Sequence, residues 1–351
     1  MKKILMTSGA ALMLSAGYAS ANALDTISFA GDGRMGVVYD NNAENEFRID
    51  SRVRGYFFFD AETDTGLGFG GRIRIGNAGA AQSGDDAAGY GHVYVESEFG
   101  RVEVGDVAGA AQAAAGDLYG VGFTGLGFFN EPTYFQRDFN GGLFDEGRNK
   151  ALYIYDMDAF SFYASTGPID SVFSTYAVGA SYDMGMFAVG AGFEYAEADG
   201  EANVGDDFLP AGLQRAIGGG GEGDDIDVIF DGEDATHLTA SVEGNFDMFS
   251  VKGHYGRAGG DLGDFLDDSG LSQNQFGASV QATFDAYTVS GFARRDFFKD
   301  DHFGVNARYD LGGGARIDAG LRRTNYNIDR VRDDEDYSSD TFADIGVNMS
   351  F

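Results

Sequence analysis

The chain has no cysteine and no tryptophan, and it sets only 24 lysines and arginines against 56 aspartates and glutamates. Without cysteine there is no disulfide framework, no thiolate metal site and no thiol nucleophile. A formal charge of −32 excludes nucleic acid as a partner, since phosphates must be neutralised by clustered lysine and arginine. Beyond the first two dozen residues no stretch holds eighteen consecutive apolar residues, so no membrane helix is expected. Disorder is excluded in turn, because 43% hydrophobic and 14% aromatic residues carry too much apolar surface for a solvated coil. Glycine (55), phenylalanine (31) and tyrosine (18) are abundant, a balance that suggests β-structure with many turns.

Residues 1–23 have the form of a secretory signal peptide. Met1-Lys2-Lys3 is a basic start, Leu5, Met6, Leu12, Met13 and Leu14 form an apolar middle, and Ala19-Ser20-Ala21 and Ala21-Asn22-Ala23 are overlapping small-residue cleavage sites. A transmembrane anchor fails on length and on that small-residue exit. Cleavage after Ala21 or Ala23 leaves a mature domain at 24–351. Loss of Lys2 and Lys3 takes its charge from −32 to −34.

The mature chain alternates. Phe47, Ile49, Val53, Phe57 and Phe59 fall on one side of a strand, and Arg48, Asp50, Arg52 and Arg54 on the other. The same two-residue period runs through 67–75, 236–246, 274–284 and 343–351, and it means strands with one apolar and one wet face. Aromatic-Asp pairs at Tyr155-Asp156, Tyr182-Asp183, Phe246-Asp247, Phe284-Asp285 and Tyr309-Asp310 end strand patterns just before the next begins, which is hairpin chemistry. These tight turns alternate with long polar segments at 77–89, 107–148, 197–235, 258–273 and 326–340. Counting both kinds of connection gives sixteen strands, from 27–39 to 341–351, with the ninth at 186–196 and the tenth at 236–246. The expected fold is all-β, a sixteen-stranded antiparallel transmembrane barrel with short turns at one rim and long loops at the other. A secreted β-sandwich also alternates, but it closes its core within ~100–200 residues, whereas this meander runs past three hundred.

Particular blocks resemble general diffusion porins of the Rhodobacter type. Gly31-Asp32-Gly33-Arg34-Met35-Gly36-Val37-Val38-Tyr39 is similar to the family's first strand. Gly100-Arg101-Val102-Glu103-Val104-Gly105-Asp106, continuing to Gly116-Asp117-Leu118-Tyr119-Gly120, resembles its fifth strand and constriction loop. Tyr309-Asp310-Leu311-Gly312-Gly313-Gly314-Ala315 and Ala343-Asp344-Ile345-Gly346-Val347, with a terminal Phe351, resemble its end. The resemblance implies a homotrimer in the Gram-negative outer membrane, bounded by lipid and lipopolysaccharide, with periplasmic turns, outer loops and loop 3 (107–148) folded into each pore. It also implies passive passage of small hydrophilic solutes and ions, with no chemical step and no required cofactor.

The residues that would govern such passage are charged. Arg34, Arg48, Arg52, Arg54, Arg72, Arg74 and Arg101 fall on the wet faces of the first five strands, and neighbouring strands should gather them into a basic lumen wall. Asp106, Asp117, Glu131, Asp138, Asp145 and Glu146 lie in the long segment that follows. Folded inward, they should face the arginines across water and set up a transverse field at the pore constriction. Hard oxygen donors at Asp225 and Asp227 invite calcium, although without EF-hand spacing, and the resemblance implies the same for Asp117 and Glu131 of loop 3. Enzyme signals are weak. Gly120-Val121-Gly122-Phe123-Thr124-Gly125 has the letters of a dinucleotide fingerprint but opens no helical pattern. His92, His237, His254 and His302 lack metal spacing, and no serine stands in a nucleophile elbow. Two rivals remain: a substrate-specific porin with Tyr94, Tyr119, Tyr134 and Tyr153 as a sugar-stacking track, and an adhesive or structural barrel with a closed lumen.

Overall fold

The computed structural model describes residues 27–76, 90–138, 142–144, 150–167, 173–204, 226–327 and 339–351, with backbone alone at 200–204 and 226–231. The expected signal peptide at 1–23, Asp145, Glu146 and Asp225 lie outside the described residues, as does the side chain of Asp227. Sixteen strands run β1 Ile27–Asp40, β2 Phe47–Glu62, β3 Gly68–Gly76, β4 Tyr90–Ser97, β5 Gly100–Gly105, β6 Lys150–Met157, β7 Phe160–Thr166 and β8 Phe173–Asp183. They continue as β9 Phe187–Val204, β10 Ile226–Phe246, β11 Phe249–Gly259, β12 Asn274–Phe284, β13 Tyr287–Arg295, β14 Asp301–Gly312, β15 Ala315–Asn325 and β16 Ser339–Ser350. Each pairs antiparallel with its sequence neighbours, and β1 pairs with β16 to close the barrel, for example Gly36 opposite Gly346. Closure removes the free edges that an open sheet of this size would present.

Alternation decides which side chains face out. On β2, Ile49 is 77% exposed on the outer face while the adjoining Asp50 is fully buried inside. Val93, Val178, Val280, Val305 and Ile345 repeat that outward exposure around the barrel. An apolar belt this continuous is far larger than water-soluble surfaces carry, and it suits lipid. No helix among the described residues is long and apolar enough to cross a membrane. At the tight-turn rim, Asp247 and Asp285 adopt positive φ (35° and 55°), a conformation aspartate tolerates better than most residues. At Asp183 and Asp310 the carboxylate instead accepts from the N–H two residues on, of Gly185 (2.7 Å) and Gly312 (2.8 Å), so the aromatic-Asp pairs serve the turns in two ways.

The fold departs from the sequence pattern in two places. Much of 197–235, expected as loop, is strand: β9 and β10 stay in register from Phe187 opposite Gly244 up to Val204 opposite Ile226, past a bulge between Asp231 and Glu233. Backbone pairing above a membrane needs no apolar face, so hydrophobic alternation misses it. Within 258–273 a short helix forms, labelled α2 (Gly260–Asp268), burying Leu266. Its Leu262, Phe265 and Leu266 follow helical spacing, and they meet Phe135, Leu143, Phe297 and Phe298 in a small apolar core at the long-loop rim.

Candidate functional site: a channel narrowed by an inward loop

The segment between β5 and β6 turns into the barrel and follows the inner wall. It opens with a six-residue helix, α1 (Ala110–Ala115), whose run of alanines both favours helix and keeps it thin. The wall beneath is correspondingly bare. A Cβ on Gly190 would lie 2.0 Å from the Ala114 carbonyl oxygen, and one on Gly192 would lie 2.5 Å from Ala111 Cα. The loop then crosses to the far side of the barrel. Tyr119 N–H donates to Ser279 Oγ on β12 (3.1 Å) and Gly122 N–H to Asn306 Oδ1 on β14 (3.0 Å). At the tip, Thr124 donates from N–H (2.8 Å) and Oγ1 (2.6 Å) to Asp344 Oδ2 on β16, while its carbonyl accepts from Arg34 Nη1 on β1 (3.2 Å). Phe123 fits the seam itself: Cβ atoms on Gly36 and Gly346 would lie 2.7 and 2.9 Å from its ring.

The return leg is fastened just as firmly. Thr133 exchanges two hydrogen bonds with the Gln275 side chain. The buried Glu194 carboxylate accepts from the N–H groups of Phe135 and Gln136 (each 3.0 Å at best) and lies 2.7 Å from His237 Nδ1. Arg322 lies between the rings of Phe129 and Phe342 (3.9 and 4.2 Å) and pairs with Asp340 at 3.2 Å. The ties named so far go to β1, β9, β10, β12 and β14–β16. On the opposite side a cleft of about 150 Å³ is lined by Arg72 and Arg74 of β3, Tyr90 and His92 of β4, Glu103 of β5, and Asp106 and Asp138 of the inward segment.

The seven arginines therefore divide. Arg72 and Arg74 line the cleft and stack on rings, with Arg72 at 4.9 Å over Tyr56 and Arg74 at 3.9 Å over Tyr90. Arg52 and Arg54 face the lumen one step nearer the long-loop rim, and Arg52 pairs with Asp32 at 3.2 Å. Arg34 is 3% exposed and bound to Asp50 at 2.7 Å, so it holds the loop tip rather than lining water. Arg48 pairs with Asp40 near the long-loop rim, and Arg101 sits toward the short-turn rim between Glu96 and Glu103.

The acids divide too. Asp106 and Asp138 share the cleft with Arg72 and Arg74. Asp117 and Glu131 instead gather on Arg137 of their own loop, and Gln112 Nε2 donates to both Asp117 (3.3 Å) and Asp138 (3.0 Å). Three carboxylates around one guanidinium cannot all stay cheaply ionised. Burial against the wall pushes the Glu131 carboxyl up to about 8 and Asp117 upward as well, with Arg137 opposing both. The guanidinium of Arg137 takes the position between Asp117 and Glu131 that a divalent cation would need, so this arrangement does not fit calcium. Arg137 went unnoticed in the sequence although it is one of two arginines in 106–149, among six acids. Glu194, His237 and Gln275 offered no signal at all, because they act through the fold.

The four tyrosines of the sugar-track idea share no face. Tyr153 lies outward at 38% exposure, Tyr134 is fully buried, Tyr119 OH donates to Glu243 at 3.0 Å, and Tyr94 OH donates to Asp60.

Comparison with known proteins agrees with this geometry. A family model described as Gram-negative porin matches residues 8–329. A porin of Rhodobacter capsulatus is 31% identical over 349 residues, covering 93% of this chain and all of the relative. The chain belongs to the Gram-negative porin family. A porin structure refined at 1.8 Å resolution shares 27% identity with it over 93% of this chain and 100% of its own length, with a TM-score of 0.66. A triply substituted Rhodopseudomonas blastica porin, at 19% identity and a TM-score of 0.62 over the same 93% and 100%, shows the likeness of fold. This porin is thus an outer-membrane diffusion channel and not an enzyme. The substrate-specific and closed-barrel readings are not favoured.

Proposed function

We propose that this porin passes small hydrophilic solutes and ions as a homotrimer with mild cation preference, selected where loop 3 faces β2–β5. The observation that carries the reading is the cleft, with Arg72 and Arg74 beside Glu103 on the strand wall and Asp106 and Asp138 on the loop side. Opposed charges of this kind set which ions linger and how dipolar solutes turn. The acidic excess of 56 over 24 concentrates cations in both vestibules, and the wall arginines oppose it, hence a mild net preference.

Strand length supports the trimer. A tilted strand needs about 9–11 residues to cross the hydrocarbon, yet β4, β5, β6 and β7 have 8, 6, 8 and 7. A wall this low suits contact with other copies of the chain better than contact with lipid. The rest of the belt meets lipid, and the long-loop rim meets lipopolysaccharide, after export directed by residues 1–23. Diffusion needs no cofactor. A planar-bilayer recording under a salt gradient tests the reading: open steps with a small cation-directed reversal potential are expected, and an absence of steps refutes it. Native gels of unheated, detergent-extracted protein should run near three chains, and a sharp monomer band would remove the trimer.

A further inference from the structure

The place beside Asp117 and Glu131, where resemblance implies calcium, holds a cation of the chain's own. Arg137 Nη2 donates to Glu131 Oε2 and lies 3.7 Å from Asp117 Oδ2. Asp138 adds a third carboxylate: its Oδ1 accepts from Gln112 Nε2 (3.0 Å), and the same nitrogen reaches Asp117 Oδ2 (3.3 Å). The N–H of Asp138 donates to Gln112 Oε1 (3.2 Å), so that amide is fixed from both ends. The cluster is not sealed, since Asp117 keeps 26% of its side-chain surface, Glu131 18% and Arg137 12%.

The other charges around it have partners of their own. Lys252 of β11 lies 3.9 Å from Glu243 of β10, and Arg294 of β13 lies 3.9 Å from Asp296. Asp138 also borders the cleft, where Arg72 and Arg74 meet Glu103 and Asp106. Among the described residues, Arg137 is then the cation left to balance Asp117 and Glu131. A guanidinium carries one charge spread over a plane, so it fits less closely than a small divalent ion would. Asp117 Oδ1 and Arg137 Nε are accordingly buried without a hydrogen-bond partner. No group of three or more acidic or histidine side chains among the described residues is arranged to hold a metal ion.

We propose that Arg137 is a resident cation that sets this porin's ion preference from within loop 3, standing where a bound divalent ion would stand. The inference rests on the diffusion-channel reading and adds a specificity-determining residue to it. A tethered side chain is not exchanged with the medium, so the passage is indifferent to calcium. The guanidinium also takes one unit from the negative charge of the loop face, which keeps the cation preference mild.

The test compares single-channel steps of the full-length mature protein in EDTA and in millimolar calcium, the range in which loosely built oxygen sites bind. Molar KCl screens the acidic vestibules during this comparison. The native channel should give the same steps in both. Arg137→Gln leaves the carboxylates without their cation, so calcium should reduce its current and EDTA restore it. Arg137→Lys returns a point charge and should restore indifference. Adding Asp117→Asn and Glu131→Gln to Arg137→Gln should abolish the calcium effect. Reversal potentials at low salt give a second readout. Burial pushes the Glu131 carboxyl up to about 8 and Arg137 holds it back, so in EDTA the pH step should move higher in Arg137→Gln.

Native steps that change with calcium overturn the proposal, as does an Arg137→Gln channel that ignores calcium or keeps the native pH step. So does a calcium effect that persists in Arg137→Lys or in the triple variant. Arg137→Met takes the place of Arg137→Gln if the latter fails to assemble. Absence of open steps in KCl alone would instead refute the channel reading. Thermal unfolding of detergent-solubilised protein then still decides the role of Arg137: calcium should raise the melting temperature of Arg137→Gln, and that gain should vanish in the triple variant.

Discussion

Glu131 shows how far one side chain's surroundings can move a charge. Its carboxyl, pushed up to about 8 by burial, is protonated at pH 6 and ionised at pH 9.5. The passage therefore gains negative charge as pH rises, and cation preference should grow through a step near pH 8. Reversal potentials recorded from pH 6 to 9.5 check this, and Glu131→Gln should flatten the step. A curve equally steep in the variant would assign the titration elsewhere. The outward and inward faces make a second prediction. Val280→Arg places a charge in the lipid belt and should cost about 2–4 kcal/mol, while Gln281→Arg next to it projects into the lumen and should be tolerated. Ser279 also faces inward, but it is 4% exposed beneath loop 3 and accepts from Tyr119 N–H, so Ser279→Arg should dislodge the loop. Heat-modifiability on gels separates the three. Period-two alternation makes the side of each residue legible; it says nothing of whether an inward residue meets water or another loop.

Among the elements, the strands were readable because lipid on one side and water on the other impose alternation on each. The alternating stretch at 274–284 coincides with β12, whereas β9 and β10 overrun their patterns at 186–196 and 236–246 by eight and ten residues at the long-loop rim. Loop 3 was readable only as a long unpatterned segment. Its path depends on glycines of β8 and β9 that admit α1, on Glu194 and Gln275, and on the seam contacts of Phe123 and Thr124. None of the wall residues that receive the loop is near it in sequence. Removing the acceptor with Asp344→Ala leaves Thr124 N–H without its partner, and such losses cost about 1–3 kcal/mol. A lower unfolding temperature is expected, together with noisier open-channel current as the tip loosens. A quiet channel with native melting would show that the other ties suffice.

At the scale of the whole barrel, two fields compete: a broad acidic one from the excess of carboxylates and a local basic one from the β2–β5 wall. They are screened unequally. Raising salt shortens the Debye length from ~10 Å at 0.1 M to ~3 Å at 1 M, which silences the vestibules before it silences groups a few ångströms from a passing ion. Cation preference should therefore fall between 0.1 and 1 M KCl, and the fall should be steeper than in Arg72→Ala, where the local opposition is gone. Parallel curves would mean that the arginine wall contributes nothing to selection. The tie at the loop tip bears on time as well as on shape. Thr124 is held by Arg34 of the first strand and Asp344 of the last, so the chain's middle is knotted to both of its ends. While the chain is still being threaded into the membrane, one half of that knot does not exist. The aperture therefore acquires its final width only after the sixteenth strand is home, and a chain cut short before Asp344 would leave its loop untethered there.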